Sequence, residues 1–161
     1  MDKLWAPWRA KYIHNCRKKA KKCIFCAAIK RPSSELFIIS TKYSIALLNI
    51  YPYNNGHMLI APKRHVKDTS DLKEEEGLDL FSCLNKSKSL LDRTLHPHGY
   101  NIGLNLGKAA GAGIPGHLHI HLVPRWKYDT NFMPVIADTR IISQSLKGLR
   151  QKFKKCSTKK R

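Results

Sequence analysis

The sequence predicts a single domain that mixes β-strands with helices, and three observations carry that reading. Short runs of aliphatic and β-branched residues recur between clusters of turn residues. One long stretch carries leucines at helical spacing. Three histidines alternate strictly with aliphatic residues from His117 to Leu122. A chain of 161 residues is large enough for a real core. We find no internal repeat and no domain boundary. The domain is read as residues 1–149, with a basic segment at 14–22 inside it and a basic tail at 150–161.

Taken in order, Leu4 to Ile13 groups Trp5, Trp8 and Tyr12 around Pro7. So aromatic a segment is expected to fold back onto the domain or a partner subunit. The basic run and Cys23-Ile24-Phe25-Cys26 follow, leading into a short helix that ends near Arg31-Pro32. Leu36 to Ser40 and Ser44 to Asn49 read as strands joined by a polar link. Tyr51 to Gly56 is a turn cluster, and His57 to Ala61 is a strand closed by Pro62.

Asp71 to Leu95 is the one long helix. Asp71 and Glu74 resemble a capping box, and Glu74, Glu75 and Glu76 lie where the helix dipole favours negative charge. Leu80, Leu84, Leu91 and Leu95 form its stripe with Phe81 beside it, which predicts one buried face. Asn101 to Leu106 is a strand, and Gly107 to Gly116 is a loop of small residues. The histidine strand is expected to end at Pro124, which cannot donate to a ladder. A short helix and the basic tail close the chain.

Composition narrows the function classes. The formal charge is +19, from 30 Lys and Arg against 11 Asp and Glu. Arg17–Lys22 and Lys147–Arg161 hold 13 of those 30 cations, so much of the excess belongs to peripheral runs that attract polyanions non-specifically. No apolar run reaches membrane-spanning length and no leader-like stretch follows the N-terminus, which with five irregularly spaced cysteines predicts a soluble, cytoplasmic protein. With so few acidic residues, and none clustered beside the histidines, a two-metal phosphatase is disfavoured. A Walker loop and a dinucleotide fingerprint are absent. Cys23-x-x-Cys26 alone fits half a zinc site, a redox pair or two buried thiols.

On a strand, His117, His119 and His121 share one face about 7 Å apart, while Leu118, Ile120 and Leu122 share the other. Three imidazoles in a fixed row suit nucleophilic, ligand or proton-handling chemistry near neutral pH. The row resembles the His-φ-His-φ-His-φ-φ signature of the histidine-triad family of nucleotide hydrolases and transferases. Gly99 to Gly107, Ala109 to Gly116 and the opening Leu4 to Arg9 are similar to the branch holding fragile-histidine-triad hydrolases and bacterial diadenosine-polyphosphate hydrolases and phosphorylases.

The resemblance implies an α+β fold: an antiparallel sheet of about five strands with two main helices, continued across a homodimer. It implies cleavage of dinucleoside polyphosphates at the α-phosphate through a nucleotidyl-histidine adduct on His119, with water or phosphate as acceptor. His121 would contact the phosphoryl oxygens, and amides of Gly111, Ala112 and Gly113 would add donors. Asn49, His57, Asn105 and Trp126 match substrate-lining positions. Cys23, Cys26, His65 and His117 match the ligands of a structural zinc, which makes His117 both a triad member and a ligand. A basic nucleotide- or nucleic-acid-binding module, or an enzyme removing adenylate from nucleic-acid 5′ ends, is the alternative.

Overall fold

The computed structural model describes residues 23–32, 36–129 and 144–158, with the side chains of 157 and 158 outside that description. The tryptophan-rich opening, the basic run at 17–22 and the stretch after Asp129 lie outside the described residues. Five strands form one antiparallel sheet: β1 Phe37–Ser40, β2 Ser44–Leu48, β3 Met58–Pro62, β4 Gly99–Leu104 and β5 Ile120–Arg125, in the order β1-β2-β3-β5-β4. Among the described residues three α-helices accompany it: α1 Ile24–Lys30, α2 Glu74–Leu95 and α3 Leu146–Thr158. The α+β expectation holds, and the three helices are the long one and the two short ones read along the chain.

Alternation sorts the strand residues onto two buried faces. Ala46, Leu48, Met58, Ile60, Ile120 and Leu122 pack with Leu80, Leu84, Leu90 and Leu91 of α2 and with Leu149 and Phe153 of α3. Ile45, Leu47, Leu59 and Ala61 look the other way, onto Phe25 and Ala28 of α1. β2 and β3 are buried throughout because both faces are covered. Continuous apolar runs, rather than alternating ones, follow from that burial.

Three boundaries differ from the sequence reading. β5 begins at Ile120, so His117 and His119 precede the paired strand, and it runs through Pro124 to Arg125. Pro124 is tolerated because its carbonyl faces Asn54 Nδ2, at 3.2 Å, beyond the end of the β3 ladder. Its ring nitrogen lies on that side too, so β4 loses no hydrogen bond.

α2 starts at Glu74, not Asp71. A 3₁₀ turn, Thr69–Asp71, is capped by Asp68, and Glu76 Oε2 accepts the Lys73 N–H at 3.0 Å. Phe81 lies outside the leucine stripe and is exposed. The third difference is at the C-terminus. The boundary foreseen at 149/150 falls inside α3, whose Phe153 is 1% exposed in the core. Its amphipathic spacing places Leu149 and Phe153 four apart on one face while the lysines line the other.

Candidate functional site

The site is assembled around β5 and the segment leading into it. Leu59 of β3 pairs with His121, so His121 rises from the α1 face of the sheet. His119, 4% exposed, and His117, 1% exposed, continue that face below the strand end. Leu118 and Ile120 turn the opposite way into the core, which fixes the row. The Leu118 N–H donates to Val66 O at 2.7 Å and locks the incoming segment to the loop after β3. That loop is itself pinned. Arg64 makes a paired contact with Glu76 and a further bond to Asp71 O. This guanidinium and the Lys73 N–H hold the Glu76 carboxyl down at about 2.

Hydrogen bonds assign a role to each imidazole nitrogen. His119 Nδ1–H donates to His117 O at 2.7 Å, leaving a lone pair on Nε2. His117 Nε2–H donates to Pro62 O at 2.8 Å, leaving a lone pair on Nδ1. His57 Nδ1 accepts the Tyr53 N–H at 3.0 Å and faces Asn49 Nδ2 at 3.3 Å. Its other nitrogen therefore carries the proton, and Nε2–H donates to His121 Nδ1 at 3.0 Å. His121 then carries its own proton on Nε2, a buried atom with no hydrogen-bond partner among the described residues. A lone pair on His119 and a spare donor on His121 stand side by side, with ring centroids 5.0 Å apart.

Burial keeps these rings uncharged. It pushes His57 down to about 3, helped by His121 and His119, and His121 down to about 4, helped by His119. His119 is also lowered by burial, against the raising effect of its bond to His117 O. A neutral imidazole is the nucleophilic form.

Three further groups gather around His117. Cys23 Sγ lies 3.2 Å and His65 Nδ1 3.1 Å from His117 Nδ1, and Cys26 Sγ lies 3.3 Å from His65 Nδ1. All four donor atoms lie within 4.8 Å of one another. Two thiols and two imidazoles, one with its lone pair already turned inward, match the donor chemistry of a tetrahedral site. These residues can hold a metal ion.

The remaining foreseen residues divide. Asn49 joins the cluster: its N–H donates to His57 O at 2.9 Å and its Oδ1 accepts the Tyr51 N–H at 3.0 Å. Asn105 follows Leu104, the last β4 residue, which pairs with Ile120, the residue after His119. The amides of Gly111 and Ala112 turn back to Lys108 O and Gly107 O, at 3.0 and 3.3 Å. Of the three foreseen amides, only that of Gly113 makes no backbone hydrogen bond among the described residues.

Trp126 is not brought to the histidines. It lies roughly 16 Å along the strand from His121 at ~3.3 Å per residue, and its Nε1–H donates to Leu95 O at the end of α2. Two aromatic neighbours escaped the sequence reading. Phe25 lies 4.9 Å from the His117 ring and 5.3 Å from that of His119. Tyr53 lies against His57 and His121. Phe25 stood inside the Cys-x-x-Cys pair and Tyr53 four residues before His57, which was the available signal.

The HIT domain family model matches residues 30–128, most of the chain and all of this site but Cys23, Phe25 and Cys26. The chain belongs to the HIT-domain family. It is 35% identical over 159 residues to a Mycobacterium tuberculosis protein named AP-4-A phosphorylase, covering 94% of this chain and 82% of that one. It is 38% identical over 96 residues to the Dictyostelium discoideum bis(5'-adenosyl)-triphosphatase, covering 60% and 63%. A zinc-bound histidine triad family protein from Mycobacterium smegmatis shares the fold with a TM-score of 0.66, at 24% identity over 86% of this chain and 98% of that one. Among the described residues, no helix of this HIT-domain protein is long and apolar enough to cross a membrane.

Proposed function

We propose that this protein cleaves dinucleoside polyphosphates at the α-phosphate by transferring a nucleotidyl group to His119. The observation that carries the reading is the pairing of a bare Nε2 on His119 with an unengaged Nε2–H on its neighbour His121. His119 Nε2 attacks the α-phosphorus, and the bond from phosphorus to the bridging oxygen breaks. The nucleoside polyphosphate leaves with that oxygen, and the nucleotidyl group stays on His119. The ring is then cationic, and its Nδ1–H remains on His117 O, which stabilises the charge. His121 Nε2–H donates to a non-bridging phosphoryl oxygen as negative charge develops there. Attack by water or phosphate on the same phosphorus expels His119 in its starting tautomer. Asn49, Asn105 and the Gly113 amide line the substrate side.

The 35% identity to a protein named AP-4-A phosphorylase, across nearly the whole chain, favours phosphate as acceptor. We assign zinc to Cys23, Cys26, His65 and His117. Bound there, zinc supplies a closed four-ligand node with no position for water, so its role is structural. Homodimer formation is supported by β4, whose outer edge ends the sheet and which exposes Ile102 and Leu104. The free thiols suit a cytoplasmic setting.

The deciding experiment incubates the protein with diadenosine tetraphosphate, with and without phosphate, and identifies the products. ATP with ADP marks phosphorolysis, and ATP with AMP marks hydrolysis. His119→Ala is expected to abolish turnover by a factor of about 10³ or more. Unchanged turnover in that variant refutes the adduct. Absence of turnover together with tight, salt-sensitive oligonucleotide binding supports a binding module instead.

A further inference from the structure

Tyr53 belongs to the turn between β2 and β3, where the chemistry was expected from histidines and asparagines alone. Its backbone is held on both sides. The Tyr53 N–H donates to His57 Nδ1, and the next residue, Asn54, anchors through Nδ2 to Pro124 O and to Asp129 Oδ2 at 2.8 Å. From that fixed point the ring reaches over the His57 and His121 imidazoles. It lies 4.8 Å from His57 at 34°, and 5.7 Å from His121 at only 15° from parallel. Half of the residue, 50%, stays exposed.

His121 needs such a contact. Its Nδ1 accepts one hydrogen bond, from His57, and its Nε2 has no partner among the described residues. With the ring tethered through Cβ–Cγ, that single hydrogen bond is the one polar contact among the described residues that sets its torsion, and a small pivot about Cβ–Cγ swings the Nε2–H. A flat aromatic surface nearly parallel to the imidazole restricts the pivot, because offset stacking has a preferred geometry. Directional accuracy matters for a donor that must meet charge as it develops, since a small misplacement costs rate steeply.

We infer that Tyr53 is a positioning residue for nucleotidyl transfer: its ring, packed flat against His121, sets the direction of the His121 Nε2–H. The inference rests on the site being a nucleotidyl-transfer centre, as proposed above. The work is done by the ring face and not by the hydroxyl, so Tyr53→Phe should keep kcat within about twofold. Tyr53→Ala, and Tyr53→Leu which retains bulk without a flat face, should lower kcat by about tenfold or more, with KM within about threefold.

The independent readout is imidazole ¹⁵N NMR of the whole protein near pH 7. Wild type and Tyr53→Phe should show His121 with its proton on Nε2, and the Ala and Leu variants should show averaged nitrogens. A merely structural role would lower thermal stability without averaging those signals. The NMR change and the kcat loss must appear together in the Ala and Leu variants, and either without the other overturns the inference. So does a Phe variant as impaired as Ala. If wild type turns over no dinucleoside polyphosphate, the functional reading fails while the NMR comparison still tests Tyr53.

Discussion

The histidine row is supported differently at its two ends. At the His117 end, four side chains able to hold a metal converge from the start of α1, the loop after β3 and the segment before β5, and the His117 carbonyl accepts the Nδ1–H of His119. At the His121 end no ligand cluster is present among the described residues. A backbone amide, an asparagine and a second histidine hold the tautomer by hydrogen bonds alone. One end is organised by donor atoms suited to a cation, the other by a chain of hydrogen bonds that fixes a tautomer. On the proposed reading, the difference lets a neutral nucleophile and a neutral donor be prepared separately along one row, each from its own side. It also predicts that damage at the two ends has different signatures.

Breaking the ligand end should have the larger consequence. Cys26→Ala removes one of four donors, so metal content should fall from about one ion per chain towards none. Folding is coupled to that loss, and both the melting temperature and kcat should drop together. Elemental analysis with thermal denaturation checks this. A variant that keeps its stability and turnover without metal would show that the cluster does not organise His117.

Breaking the hydrogen-bonded end should spare the metal. His57→Ala leaves His121 Nδ1 without its donor, and kcat should fall by roughly 10², with metal content unchanged. His57→Gln can still offer an N–H and accept from Tyr53, so partial recovery is expected. The double variant His57→Ala/Cys26→Ala sharpens the comparison. Independent ends give multiplied losses, whereas a single shared function of the two ends gives less than the product.

How far the sequence revealed these two ends depends on what each uses. The set Cys23, Cys26, His65 and His117 was legible only through the family resemblance, because Cys23-x-x-Cys26 alone fits a zinc half-site, a redox pair or two buried thiols; the structure brings the four together. The row was legible from its period of two, although the paired strand starts only at Ile120. The hydrogen-bonded end was half legible. His57 and Asn49 were marked by the family resemblance and Tyr53 only by its place four residues before His57, while the contacts of its amide and ring come from the shape of the turn. Trp126, marked by the resemblance, is carried by the run of β5 through Pro124 to the end of α2, away from the histidines. At the C-terminus, counting lysines hid the Leu149 and Phe153 pair that makes residues 146–158 part of the core.

A gentler way to disturb the hydrogen-bonded end is through the turn that presents it. Gly56 adopts φ +76°, and a Cβ there would sit 2.6 Å from Leu95 Cδ1 and 3.1 Å from Leu91 Cδ2. Gly56→Ala combines left-handed strain with overpacking against α2, and a loss of about 2–3 kcal/mol is expected. Urea denaturation measures it. Because His57 follows directly, kcat should also fall, but less than in His57→Ala. A stability unchanged within ~0.5 kcal/mol would mean that the turn is not held against α2 as described.

The smallest effect concerns protons. Folding lowers His57 to about 3 and His121 to about 4, from an ordinary value of 6.5. Between those values and 6.5 the unfolded chain binds protons that the folded chain refuses. The two groups therefore contribute no pH dependence well above 6.5, and they destabilise the fold progressively as pH falls from about 6.5 to 4. Each group can contribute up to about a tenfold change in the folding constant per pH unit. Metal release in acid would add its own slope, so the informative quantity is a difference between two proteins with the same ligand set. Denaturation midpoints of wild type and His57→Gln should run parallel above pH 7 and converge below 6.5, because the variant lacks one refused proton. Parallel curves down to pH 4.5 would mean that His57 is not kept neutral by burial, and the tautomer assigned to His121 would lose its foundation.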